Sequence, residues 1–238
     1  MKASLTLILK SAIVLGVTSL IAVSASAQMT YTLDTTDRGW FNEAGSHAAS
    51  NDNYIAGLSQ GTEYRDFFVF DRSAVVGAVT SAELRLFLPT DGFSSRNPNE
   101  NLFIYKIDST PVSALIASAT QATSIFKDLG DGSSFGHTTI ASSAEGTYIS
   151  IALNNTFLSY INGLSGEFGV GGRVTTLGGD FDQYVFGYSQ GTNPADGLTE
   201  LGLTTNAPVA AAVPEPSTYG LVGAGLLAAV VALRRRRR

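Results

Sequence analysis

Apolar and polar positions alternate in short runs between residues 28 and 213, and Gly, Asn, Asp and Ser divide the runs. Residues 81–88 show the pattern most clearly. Ala82, Leu84, Leu86 and Leu88 fall on one face of a strand, Glu83 and Arg85 fall on the other, and Pro89 ends it. Residues 148–153 alternate in the same way. Residues 65–71 differ, because Phe67 and Val69 point one way while Phe68 and Phe70 point the other. That pattern predicts a strand covered on both faces. Further strands are expected at 31–33, 54–57, 102–107, 168–174, 184–188 and 198–203, with a turn at Gln60-Gly61. Residues 34–53, 91–100 and 125–139 read mainly as loops. One helix interrupts the strands: Thr156 can cap it, Phe157, Leu158, Ile161 and Leu164 have helical spacing, and Gly163 can end it. The expected fold is all-β, a single jelly-roll-like antiparallel β-sandwich with one short helix.

The chain also repeats itself once. Tyr54-Ile-Ala-Gly-Leu-Ser-Gln-Gly-Thr62 and Tyr184-Val-Phe-Gly-Tyr-Ser-Gln-Gly-Thr192 share six of nine residues at an offset of 130. Two copies this short do not make a solenoid. Two equivalent strand-to-turn corners, adjacent in space, are one reading; chance similarity in a Gly/Ser-rich chain is the other.

Both ends depart from the alternating pattern. Lys2 and Lys10 precede or interrupt an apolar stretch that runs to residue 23, and Ala25-Ser26-Ala27 forms a small-x-small cleavage site. Residues 1–27 therefore read as a secretory signal peptide that directs the chain to the export machinery, with Gln28 the first mature residue. The expected domain covers 28–205, and a linker with Pro208 and several alanines covers 206–213. Then come Val213-Pro214-Glu215-Pro216, an apolar run to Leu233, and Arg234, Arg235, Arg236, Arg237 and Arg238. The prolines keep the motif extended and open to an enzyme. Residues 219–233 would make a helix of about 22 Å, short of the ~20 residues that usually span a bilayer. Snorkelling arginines and Tyr219 at the interface would help it across, and the five guanidinium groups would stop it from passing through.

This three-part tail, residues 214–238, resembles the PEP-CTERM sorting signal of bacterial envelope proteins. The resemblance implies a membrane protease-transpeptidase, an exosortase, as partner. It also implies a transient stay in the inner membrane before delivery to the cell surface or outside. An ordinary C-terminal anchor is the alternative, although it would not need Pro-Glu-Pro. The core motifs Asn53-Tyr-Ile-Ala-Gly57, Tyr64-Arg-Asp-Phe-Phe-Val-Phe-Asp71, the Thr80 to Leu88 strand, Phe168-Gly-Val-Gly-Gly172 and Tyr184-Val-Phe-Gly187 resemble uncharacterised β-sandwich domains that often precede such tails. That resemblance carries no catalytic residue across. By analogy alone the core is similar to jelly-roll carbohydrate-binding modules.

Charge narrows the partners. Seven of the 15 Lys and Arg and one of the 20 Asp and Glu lie outside residues 28–213, leaving 8 and 19. The mature core is thus near −11, not −5, and repels nucleic acid. There is no cysteine, so neither disulfides nor a thiol nucleophile is available. His47 and His137 lie in polar stretches and read as surface residues. No H-x-x-x-H or phosphate-loop pattern occurs. Asp128 and Asp131 flank Gly130 and make the best calcium candidate, although Asp and Gly also serve plain turns. Trp40 could stack on a sugar or simply close the end of the sandwich. The reading is an exported, non-enzymatic surface or matrix protein without cofactor. A glycan-binding module of an exopolysaccharide matrix, with calcium assistance, is the alternative. A secreted hydrolase comes last.

Overall fold

Gln60 and Gly61 both have positive φ, 50° and 76°, as a two-residue hairpin with the right twist requires. They join the two strands from which the larger sheet grows. The computed structural model describes residues 28–179, 181–187, 199–206, 223–225 and 231–236. Among these the strands are β1 Gln28–Asp34, β2 Asp37–Asn42, β3 Ala56–Ser59, β4 Thr62–Asp71, β5 Ala78–Leu88 and β6 Asn99–Lys106. After the short helices α1 Val112–Leu115 and α2 Thr123–Asp128 come β7 Ser134–Ala141 and β8 Thr147–Ala152. Helix α3, Asn155–Asn162, precedes β9 Glu167–Val174, β10 Gln183–Val185 and β11 Thr199–Asn206.

All pairings are antiparallel. One sheet runs β1-β11-β5-β8, and the other contains β10-β3-β4-β9-β6-β7 with β2 paired to β4. Asp66 faces Trp40 on one side and Gly172 on the other, so β2 and β9 flank β4 from opposite sides. The orders β1-β11-β5-β8 and β4-β9-β6-β7, with the first strand beside the last, are those of a jelly roll. One apolar cluster draws Leu84, Leu86, Ile149, Ile151, Leu201 and Leu203 from the first sheet and Phe68, Phe70, Leu102, Ile104 and Val170 from the second. The two sheets therefore pack face to face.

The double-sided β4 expected from its four consecutive apolar residues is present. Phe68 and Phe70 enter the inter-sheet core, while Phe67 and Val69 enter a second cluster with Phe41, Ile107, Leu115, Phe126 and Leu129. That second cluster is the α1–α2 segment lying on the outer face of the larger sheet. It sits so close that a Cβ on Gly171 would strike the backbone of Leu129, and one on Gly169 would strike Leu115. Arg65 fastens it: its Nη1 donates to the carbonyls of Phe126 and Lys127 at the end of α2, and its guanidinium lies 4.1 Å from the Phe126 ring centre.

Four sequence expectations need correction. The stretch 34–53 is not all loop, because β2 lies within it and pairs with β4 from Asp37↔Val69 to Asn42↔Tyr64. Residues 125–139 hold the end of α2 and most of β7. Among the described residues of 28–206 there are three α-helices and one 3-10 turn, Ser142–Ala144, where a single helix was expected. The helix that was expected is capped not by Thr156 but by Asn154, whose side chain accepts from Thr156 N and Phe157 N, and it ends at Gly163. The repeated motif does place its two copies side by side: Gly57 pairs with Tyr184, Ala56 with Val185, and the Tyr54 and Phe186 rings meet at 5.3 Å. The second copy's last residues lie outside the described residues. By contacts the chain divides into a unit spanning Gln28–Pro208 and another made of Met1–Ala27 and Val209–Arg238.

Candidate functional site

Several titratable side chains of the sandwich unit are buried. Asp66 stands on the core face of β4, fully buried, with neither carboxylate oxygen partnered among the described residues. Its neighbour across the strand pair is Gly172, where a Cβ would collide with Asp66 Oδ1, so the glycine makes room for the carboxyl. Burial pushes this carboxyl up to about 7, against the opposing effect of its own backbone N–H. At neutral pH the group is poised between charged and uncharged.

Two other carboxylates are fully engaged. Glu100 is buried, and donors from Ser95, Asn97, Thr176 and Gln183 converge on it. It ties the 91–98 loop to β10 and to the end of β9. Asp128 closes α2. Its Oδ1 accepts from Asp108 N at 2.9 Å, and its Oδ2 accepts from Ser109 N, Ser109 Oγ and Thr110 N. Burial alone would raise the Asp128 carboxyl, but these donors together outweigh burial and hold it below its ordinary value. The structure therefore gives Asp128 a loop-pinning task on oxygens that a calcium ion would need, while Asp131 is exposed. No group of three or more His, Asp or Glu among the described residues is placed to hold a metal.

His47 is not on the surface. It is buried, stacked on Phe41 at 4.8 Å and edge-on to Phe67, with Nδ1 donating to the Trp40 carbonyl at 2.9 Å. Burial lowers its pKa against the opposing effects of that hydrogen bond and of Asp37. Its Nε2 is buried without a partner among the described residues, so the ring is neutral. Trp40 belongs to β2 rather than a loop and is half-buried, with edge contacts to Tyr64 at 5.2 Å and His47 at 6.2 Å. His137 does lie on the surface, stacked on Phe103 at 4.8 Å, and Phe103 in turn stacks on Tyr105 at 6.1 Å. No local pattern along the chain marks this row.

The sorting residues are placed only in part. Ala25, Ala27, Val213, Pro214, Glu215, Pro216, Arg237 and Arg238 lie outside the described residues. Residues 223–225 and 231–236 are helical, and Arg234, Arg235 and Arg236 are exposed. Among the described residues no helix is long and apolar enough to cross a membrane.

A β-rich core with a Pro-Glu-Pro, apolar and basic tail defines a class: an exported protein whose C-terminus is a processing signal. Residues 212–237 match the family model described as the PEP-CTERM protein-sorting motif. The motif implies export and membrane-associated processing by an exosortase. No curated protein matches the chain.

Proposed function

We propose that the protein is delivered to the cell surface or extracellular matrix as a non-enzymatic β-sandwich, after an exosortase acts at Val213-Pro214-Glu215-Pro216. The sorting-motif match over residues 212–237 carries this reading. Several features support it. Glu100 and Asp128 are committed to holding loops, and the acidic core suits a soluble surface module. Export through the general secretory route would use the signal peptide at residues 1–27, and the arginine cluster would hold the precursor at the inner membrane. A glycan-binding role rests on the half-exposed Trp40, and polysaccharide pull-down with and without chelator would separate it from a purely structural role.

The direct test is to replace Pro214, Glu215 and Pro216 with alanine. Unprocessed protein should then accumulate in the inner-membrane fraction. A variant trimmed at the C-terminus like the parent would overturn the assignment of the motif.

A further inference from the structure

The margins of a β-sandwich are where backbone groups are left without partners, and three of the margins here are occupied. β8 abuts β7: Asn154 N–H donates to Phe135 O at 2.7 Å, and a Cβ on Gly136 would press on the Ala152 carbonyl. The outer side of β10 is bridged by Ser94, which exchanges backbone hydrogen bonds of 3.0 and 2.8 Å with Tyr184. On β2 the Trp40 carbonyl accepts from His47.

β1 is different. It pairs with β11 in unbroken register from Gln28↔Asn206 to Asp34↔Glu200, and it has no proline, lysine or bulge, the usual guards of an edge. Thr35 N–H donates to Thr199 O, so the odd-numbered residues turn their backbone groups to β11. Gln28, Thr30, Thr32 and Asp34 then point N–H and C=O outward. None of these has a backbone partner on that side among the described residues.

An apolar patch lies beside the same edge. Met29 is 42 % and Val76 52 % exposed, and within Gln28–Pro208 only Ile116 joins them among the described large hydrophobic side chains that are so open. Tyr31 links the pair, with its hydroxyl 3.8 Å from Met29 Sδ and accepting from Val76 N at 3.2 Å.

We infer that the outer edge of β1 is a self-association surface, on which a second copy of this chain adds its own β1 in antiparallel register. The sequence of the strand is self-complementary about Tyr31. Thr30 falls opposite Thr32, Met29 opposite Leu33, and Gln28 opposite Asp34, so the one carboxylate meets an amide rather than another carboxylate. That register also brings the even-numbered residues of both strands together, satisfying the outward backbone groups. The contact is isologous and closes after two copies, joining two four-stranded sheets into one.

The test uses the Gln28–Pro208 unit, which carries its own core, in sedimentation equilibrium from micromolar to millimolar concentration. A reversible monomer–dimer equilibrium is expected. T30K/T32K sets lysine against lysine across the axis on an exposed face, and dimerisation should weaken roughly tenfold or more. T30E/T32E should do the same, and mixing the two variants should restore a heterodimer. The monomers should melt like the parent, which separates lost association from lost fold. A unit that stays monomeric throughout overturns the inference. So does self-association that survives both double variants.

Discussion

Asp66 carries a testable cost. Its pKa in the fold is about 7 against an ordinary 3.8, so the folded chain holds a proton that the unfolded chain has released. The stability tied to that proton is fully present below 3.8 and is lost as pH rises to about 7, at about 1.4 kcal/mol per pH unit, or roughly 4 kcal/mol in all. His47 acts in the opposite direction between its lowered pKa and the ordinary 6.5, because there the unfolded chain is the one that gains a proton. Asp66→Asn keeps the shape and removes the titration. The variant should melt well above the parent at pH 8 and close to it near pH 4, by calorimetry at both values. An equal offset at both pH values would show that Asp66 does not titrate in the fold.

Neither residue's burial was visible in the sequence, and the reason is physical. His47 sits among Gly, Ser, Ala and Asn in the chain, and the rings that enclose it, Phe41 and Phe67, arrive by strand pairing. Asp66 lies between Arg65 and Phe67 in a strand read correctly as two-faced, but alternation alone does not say what surrounds a polar side chain in such a strand. The unbranched space at Gly172 is supplied from 106 positions away.

Elements were legible where burial is one-sided or strongly apolar. Ala82, Leu84, Leu86 and Leu88 face the core as expected, and Glu83 and Arg85 face outward, where Ser150 and Glu200 meet them. β2 escaped notice because Asp37-Arg38-Gly39-Trp40 has no alternation of its own, and pairing along β4 makes it a strand. α2 escaped because six residues make too short a helical period, and the packing of Phe126 on the outer sheet face stabilises it instead. Asp128 anchors that element by gathering the backbone of Asp108, Ser109 and Thr110 onto the end of α2. Asp128→Ala leaves those donors unpaired and should cost roughly 3 kcal/mol, in the range for hydrogen bonds to a charged group. Chemical denaturation in calcium and in chelator should show the same loss. A loss that appears only when calcium is present would return a metal to this loop.

For the whole molecule, sandwich and tail answer different questions. The jelly-roll order arises from short alternating strands, and the signal that fixes the protein's fate occupies 26 residues that share none of that pattern. The tail was the more legible of the two, because its chemistry is local: extended prolines, an apolar run and five consecutive guanidinium groups. The sandwich is less legible because its sheets are assembled from strands distant in the chain, as when β1 pairs with β11. The central claim is that this tail is removed during delivery. Mass spectrometry of the C-terminal peptide of the exported protein tests it most directly. A terminus at or near residues 213–216, with Arg234 to Arg238 absent, is the predicted result; exported protein that still ends at Arg238 would contradict it.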